Sequence, residues 1–172
     1  MKASLIRVLR SAYSGELAAA HAYHGHAASV GAPAIREGLR KIEAEEWHHR
    51  ELVGEILAEL GAKPSPIREA IFWTIGRIIG ALCHIGGRFI PMYGAGRLEL
   101  WNIREYEMAA ALAQEAELDK YIDCLLTMAR VESEHEKFFR EQVEGHWLLW
   151  LFPLWEPPPA KEPVTAATGT PH

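Results

Sequence analysis

Several features that mark common protein classes are scarce in this chain. Only two cysteines, Cys83 and Cys124, occur among 172 residues, and no CxxC spacing is present. Neither a disulfide framework nor a zinc knuckle is therefore indicated. Lysine and arginine form no cluster and the formal net charge is -5, which argues against nucleic acid as a partner. The N-terminal segment has no uninterrupted apolar stretch typical of a secretory signal, so a cytoplasmic protein is expected.

Alternating patterns typical of β-strands are nearly absent, and long segments show helical periodicity instead. The predicted fold class is therefore all-α. The predicted helical segments cover residues 3–29, 34–60 and 97–145, the last with a turn near 117–120. Gly61 is a suitable C-terminal cap for the second segment. Residues 1–155 are assigned to one domain, and the proline-rich residues 156–172 are predicted to be a disordered tail.

An apolar segment of residues 67–91 connects the two predicted hairpins. Arg77 and Arg88 fall on one narrow helical face and argue against a membrane-spanning helix. Two interpretations stay open: a crossover helix packed on the bundle, and a helix lying in a membrane interface. A second aromatic-rich segment, residues 147–155, suits either the same surface or a contact between subunits of a homo-oligomer.

The pattern Glu-x-x-His occurs twice at positions where a helix should carry apolar residues. Glu46 and His49 interrupt one apolar seam, and Glu132 and His135 interrupt another. The spacing of three and four residues keeps each seam on one helix face, so these groups would be carried into the core. Burying an unpaired charge is costly. Two insertions of the same kind therefore predict a shared partner, and a pair of metal ions satisfies both.

Two hairpins joined by a long crossover are typical of ferritin-like four-helix bundles, whose di-iron sites add one glutamate from each of the other two helices. Glu16 lies about as far before the first turn as Glu46 lies after it. In the second hairpin, Glu105 matches Glu132 in the same way, with Glu107 as a reserve. Glu99 lies six residues farther from the turn than Glu105 and is set aside.

The predicted metal ligands and catalytic residues are therefore the same six: Glu16, Glu46, His49, Glu105, Glu132 and His135. Four carboxylates and two imidazoles suit two iron ions, or manganese, better than structural zinc. In this arrangement Glu46 and Glu132 bridge the ions, and each histidine binds one of them. Two ferrous ions held together can jointly reduce O2.

Other polar residues receive simpler interpretations. Glu45-x-x-His48, one residue away from the seam, is taken as a solvated surface pair. The three histidines of the first helix are expected at the surface or rim of the bundle; they are His21, His24 and His26. Tyr23 lies on the seam of Glu16, where it is either a plain core residue or a hydrogen-bond donor near the metals.

The segment from Gly15-Glu16 to Tyr23-His-Gly25-His26, the 30-residue step from Glu16 to Glu46, and the run Glu132-Ser-Glu-His135 together resemble the demethoxyubiquinone hydroxylase family. This resemblance implies a ferritin-like di-iron monooxygenase of ubiquinone biosynthesis. Its partners would be O2 and a lipophilic, membrane-resident substrate such as a demethoxyquinone. The apolar crossover would then make peripheral contact with the inner face of the cell membrane.

The chain also departs from that family's pattern. His26 stands where the family has glutamine. The family's third glutamate is followed six and seven residues later by a His-Tyr pair, but Ala111 and Leu112 occupy these positions after Glu105.

Two other functions are compatible with the same all-helical pattern. A ferritin- or rubrerythrin-like protein would handle peroxide or iron with the same ligands, although no four-cysteine rubredoxin module is present. A metal-free helical bundle that binds a partner protein would need none of them.

Overall fold

The computed structural model describes residues 1–158, which form helices and no strand. The five α-helices are α1 Lys2–Ser29, α2 Pro33–Glu59, α3 Pro66–Leu82, α4 Phe89–Glu115 and α5 Ile122–Val143. Two short 3-10 helices follow α4 and α5, at Asp119–Tyr121 and Trp147–Trp150. The all-α prediction is confirmed. Residues 159–172 of the predicted tail lie outside the described part of the chain.

The ends of the helices follow local turn chemistry. Gly61 adopts φ 72° directly after α2, a left-handed conformation that suits glycine at a helix C-terminus. In the second hairpin, Glu117 takes φ 55° between α4 and α5, within the predicted turn. Both turns therefore lie where the sequence indicated.

The prediction of one crossover helix over residues 67–91 was wrong at its C-terminal end. Helix α3 ends at Leu82, and α4 begins at Phe89 rather than near residue 97. Pro91 does not stop α4, because it lies in the first turn, where a helix needs no backbone N–H from it.

Along each long helix, the polar residues of the predicted site separate two apolar clusters. The first cluster contains Leu5, Leu9, Leu57, Leu125 and Met128 among others. The second contains Tyr23, Leu39, Met92, Phe139 and Val143 among others. In α1, for example, Glu16 lies between Leu9 of the first cluster and Tyr23 of the second. The core is thus continuous except for one polar layer near its middle.

Helix α3 packs on α1 through its glycine face. Gly76 and Gly80 are its only buried residues, and a Cβ built at Gly25 of α1 would lie 2.5 Å from the Cα of Gly80. The two backbones therefore approach as closely as residues without side chains allow.

The other faces of α3 expose large apolar side chains to solvent. These are Ile67, Ile71, Trp73, Ile75, Ile78, Ile79 and Leu82. None of the helices within residues 1–158 is both long enough and apolar enough to span a bilayer.

Candidate metal centre

Six acidic and imidazole side chains converge in the polar layer. One group consists of Glu16, Glu46, His49 and Glu132; the other consists of Glu46, Glu99, Glu132 and His135. Within each group, one nitrogen or oxygen atom per residue lies within 4.8 Å of the others. Glu46 and Glu132 belong to both groups, so the two groups share two carboxylates.

Every member of the cluster is buried, with at most 3% of its surface exposed. The Nδ1 atoms of both histidines face the shared carboxylates: His49 lies 2.9 Å from Glu132 Oε1, and His135 lies 3.2 Å from Glu132 Oε2. His135 Nδ1 also lies 3.2 Å from Glu46 Oε1.

Burial, neighbouring charges and hydrogen bonds shift the pKa values of these carboxyl groups in two directions. Burial raises the pKa of Glu16 and raises that of Glu46 still further, with the Glu132 charge adding to both. Glu99 has a raised pKa for the same two reasons. Burial also opposes the charged form of Glu132, but hydrogen bonds from His135 and His49 outweigh it and hold the pKa at about 2. The cluster without metal therefore retains protons on some carboxyls while Glu132 stays ionised.

The cluster fits a pair of divalent metal ions. Three carboxylate oxygens, Glu16 Oε2 and both oxygens of Glu46, are buried without a hydrogen-bond partner in the described residues. A buried polar atom left unpaired costs free energy, and a bound cation would remove that cost. Four carboxylates with two imidazoles form a ligand set suited to iron or manganese.

Five of the six predicted residues belong to this cluster, and Glu105 does not. Glu99, which was set aside, occupies the place expected for it. Glu105 is half-buried beside Ser11, and burial raises its pKa while the hydrogen bond with Ser11 opposes the shift. Glu107 is not among the clustered groups either.

The error arose from the choice of helix face in α4. By helical spacing, Glu105 shares its face of α4 with Leu98, Trp101 and Met108, which are 46%, 65% and 50% exposed. The face that is buried carries two aromatic side chains together with mostly smaller residues: Phe89, Met92, Gly96, Glu99, Ile103, Tyr106, Ala110 and Ala113. These positions alternate by three and four residues, so the heptad spacing was the signal that could have identified Glu99.

The distance of Glu99 from the interhelical turn also has to be compared with that of a different residue of α5. Glu99 groups with His135 rather than with Glu132 alone, and His135 lies almost one helical turn farther from the interhelical turn. Compared with His135 instead of Glu132, Glu99 is only about three residues too far from the turn. Two long side chains can span that distance along the helix axes.

With Glu99 as the third glutamate, the departure from the His-Tyr pair is reduced to one of its two residues. The positions six and seven residues after Glu99 hold Glu105 and Tyr106. The tyrosine of the family's His-Tyr pair is thus present, and glutamate replaces the histidine. Tyr106 is fully buried and donates a short hydrogen bond to Glu16 Oε1.

Neighbouring side chains orient the clustered groups. Tyr23 donates a short hydrogen bond to Glu99 Oε1, and Asn102 Nδ2 donates to Glu99 Oε2 at 2.9 Å. Glu45 Oε2 lies 2.9 Å from His135 Nε2, so the surface interpretation of Glu45 was wrong.

The histidines of α1 have different surroundings. His24 has a half-exposed side chain that pairs with Glu43 at 2.8 Å, as expected for a surface residue. His26 is only 3% exposed and stacks on Phe139, so its surface interpretation was wrong. The imidazole of His21 lies edge-on between Trp47 and Trp73.

A largely apolar cavity of about 700 Å³ lies between α1, α3 and α4. Tyr23 and Asn102 line it, and both donate hydrogen bonds to Glu99. These two side chains therefore connect the lining of the cavity to one member of the acidic cluster. The cavity is also lined by exposed apolar residues such as Ile79, Ile85 and Leu98.

Comparison with known proteins is consistent with this geometry. The family model described as "Ubiquinone biosynthesis protein COQ7" matches residues 3–101, more than half of the chain. The match includes Glu16, Glu46, His49 and Glu99, and it ends before α5.

Curated relatives are similar over a shorter region. A 3-demethoxyubiquinol 3-hydroxylase of Francisella tularensis subsp. tularensis (strain WY96-3418) is 37% identical over 78 residues, which are 44% of this chain and 37% of that protein. The protein of the same name from Francisella tularensis subsp. novicida (strain U112) is 36% identical over the same number of residues. The matched region thus spans well under half of these relatives. No solved structure matches the chain.

Proposed function

The chain belongs to the family of the ubiquinone biosynthesis protein COQ7, and from this premise we propose that it is an O2-dependent di-iron hydroxylase of a lipophilic quinol precursor. The observation that carries the proposal is the apolar cavity lined by Tyr23 and Asn102, which both donate hydrogen bonds to Glu99 of the acidic cluster. The names of the Francisella relatives point to 3-demethoxyubiquinol as the substrate to test first.

In the proposed centre, two iron ions would be held by the six clustered side chains: Glu16, Glu46, His49, Glu99, Glu132 and His135. When bound, such a centre supplies electrons to O2 and delivers one oxygen atom to a C–H bond of the substrate. The second oxygen atom leaves as water, and an external reductant supplies the two electrons that accompany two protons.

The protein's own residues would prepare this chemistry in two ways. Tyr106 holds Glu16, while Tyr23 and Asn102 hold Glu99, so these two carboxylates keep defined orientations. The apolar lining of the cavity excludes water from the side on which the substrate would lie.

The proposal is tested by loading the protein with Fe(II) without oxygen and adding 3-demethoxyubiquinol, ¹⁸O2 and a reductant. We expect about two irons per chain and one ¹⁸O atom in the product by mass spectrometry. Glu46→Gln should abolish both results, because both groups of ligands share Glu46. Two bound irons without hydroxylation would contradict the hydroxylase. Rapid peroxide consumption, or iron far above two per chain, would favour the ferritin- or rubrerythrin-like alternative.

We also propose that the exposed apolar face of α3 makes peripheral contact with a bilayer. Ile75, Ile79 and Leu82 are 40%, 43% and 52% exposed and also line the cavity. A lipophilic molecule could therefore pass from lipid to cavity without crossing water. Large exposed apolar patches commonly mark such contacts.

Flotation with anionic phospholipid vesicles tests this contact. The double variant Ile71→Glu and Ile78→Glu places two charges on the exposed face of α3. It should stay in the unbound fraction instead of floating with the vesicles. Ala58→Glu, an exposed position of α2, is the matched control and should float like the wild type. Equal flotation of the double variant, or a stable dimer without lipid binding, would contradict membrane contact.

A further inference from the structure

His26 is a buried polar side chain that the proposed metal chemistry does not use. It lines the apolar cavity and is 3% exposed. Its ring stacks on Phe139 with the centroids 6.5 Å apart. Its ring nitrogens hydrogen bond to no side chain or backbone group among residues 1–158.

The other polar side chains of the cavity are already engaged. Tyr23 and Asn102 both direct their donors to Glu99. Among the histidine, tyrosine and asparagine side chains that line the cavity, only that of His26 forms no hydrogen bond within residues 1–158. An unpaired polar group in apolar surroundings lowers stability, and this cost is recovered if a ligand supplies the partner.

The protonation state of His26 suits a neutral ligand. Burial lowers the pKa of its imidazole to about 4, so the ring is uncharged near neutral pH. A neutral imidazole offers one N–H donor and one nitrogen acceptor. It can therefore bind a hydroxyl, a carbonyl or an ether oxygen without requiring a charge on the ligand.

The position of His26 also fits the geometry of the site. It follows Tyr23 by three residues on α1, which corresponds to about 4.5 Å along the helix axis. A ligand oxygen held at His26 would leave the opposite edge of a six-membered ring near Tyr23 and Glu99. The rest of the cavity would accommodate an apolar tail.

We propose that His26 is a specificity-determining residue, which hydrogen bonds to an oxygen substituent on the ring of a lipophilic quinol or quinone bound in the cavity. This inference rests on the proposed function and deepens it, because it identifies the residue that distinguishes an oxygenated ring from a plain hydrocarbon.

Equilibrium binding to the full chain in detergent tests the inference with two probes. The first is 3-demethoxyubiquinone with a two-isoprene tail, and the second is geranylbenzene, which has the same tail but no ring oxygen. His26→Leu removes the hydrogen bond at similar volume, and His26→Gln retains a donor and an acceptor. His24→Leu is the matched control on the exposed side of α1. Circular dichroism and iron content verify that each variant is folded and loads metal.

We expect His26→Leu to weaken quinone binding about three- to tenfold, the usual effect of one neutral hydrogen bond, with geranylbenzene binding unchanged. His26→Gln and His24→Leu should bind the quinone within twofold of the wild type. Unchanged quinone binding by His26→Leu, or equal weakening of both probes, would overturn the role of His26.

Different results would overturn the proposed hydroxylase function and the role of His26. If the wild type hydroxylates the quinol and His26→Leu binds the quinone equally well, only the role of His26 is lost. If the wild type binds geranylbenzene but neither binds nor hydroxylates the quinone, the proposed substrate class is overturned and the inference falls with it.

Discussion

At the scale of single residues, two glutamates on the same helix have different surroundings. Glu99 is fully buried among carboxylates, whereas Glu105 lies half-buried beside Ser11. Six residues rotate a helix by about 600°, so the two side chains leave α4 about 120° apart. Only one of them can face the cluster.

Metal stoichiometry distinguishes these two glutamates. Glu99→Ala removes a ligand from only one of the two groups, so anaerobic Fe(II) loading should fall from about two ions per chain towards one. Glu105→Ala should load like the wild type. Metal analysis after desalting measures both, and a larger loss in Glu105→Ala would contradict the assignment.

Glu45 is expected to act on the metals through His135. A metal-binding histidine usually gives its other ring N–H to a carboxylate, and losing such a partner weakens metal affinity by about 10- to 100-fold. Because Glu45 lies 2.9 Å from His135 Nε2, Glu45→Ala should show a loss of this size in competition with a chromophoric chelator. Glu45→Gln should recover most of the affinity, and Glu51→Ala, an exposed glutamate of α2, should have no effect. A full loss in Glu45→Gln would contradict a hydrogen-bonding role.

His26 predicts a specific dependence of stability on pH. Its pKa is about 4 in the folded chain and about 6.5 when unfolded. The pKa in the folded state is depressed, so protonation of His26 does not lower the free energy of unfolding above about pH 6.5. As the pH falls from 6.5 towards 4, the unfolded chain binds this proton more readily than the folded chain, and the free energy of unfolding decreases. Relative to His26→Gln, the metal-free wild type should lose on the order of 2–3 kcal/mol between pH 7 and pH 4.5. Urea unfolding of both proteins at the two pH values measures the difference. Parallel pH profiles would show that His26 is not held neutral.

At the scale of elements, α3 depends on small residues for its position. A Cβ at Gly76 would collide with the backbone of Ala18 in α1. The apolar side chains of α3 point mostly away from the bundle, so its attachment relies on this close approach and on the contacts of Glu69 with Ser14 and Arg50.

Gly76→Val should therefore loosen α3. The added methyl groups meet backbone rather than a movable side chain, and overpacking of this kind costs about 1–3 kcal/mol. Urea unfolding should show that loss, and hydrogen exchange should be faster in α3. Gly94→Ala is the control, because a Cβ there meets nothing within 4 Å, and it should be neutral or slightly stabilising. Equal stability of both variants would contradict the tight α1–α3 contact.

At the scale of the whole molecule, the segment after α5 folds back over α4 and α5. Trp155 is buried against Gly96, and its indole Nε1 donates to Glu136 Oε1 at 2.6 Å. Trp147 and Trp150 of the same segment are 70% and 75% exposed. The apolar segment that was expected to meet a membrane or another subunit is therefore divided: part of it completes the core, and part stays on the surface.

Truncating Trp155 should thus cost far more than truncating its neighbour. Trp155→Ala removes a buried aromatic ring and one of the two donors to the buried Glu136, whose other donor is Arg140, so a loss of about 3–5 kcal/mol is expected. Trp150→Ala should change stability by less than about 0.5 kcal/mol. Thermal or urea unfolding of the full chain measures both, and similar values would contradict the role of Trp155 as a core residue.

Local patterns were sufficient for the helical class, the main turns and the two Glu-x-x-His pairs. Helical periodicity and terminal glycines act within a few residues, so they can be recognised without knowledge of the neighbours. Glu46, His49, Glu132 and His135 interrupt strongly apolar seams, and such an interruption is visible in sequence alone.

The tertiary structure alone decided which face of α4 is buried and what surrounds the site. In α4 the larger apolar residues Leu98, Trp101 and Met108 are exposed, while Gly96 and Ala113 face the core. Large apolar residues are usually more buried than small ones, but these positions of α4 show the reverse. Neighbouring helices approach closely here, and Trp155 fills the space over Gly96. The same packing brought Glu99 into the cluster and left His26 unpaired beside an apolar cavity, an outcome that depends on contacts between helices far apart in the chain.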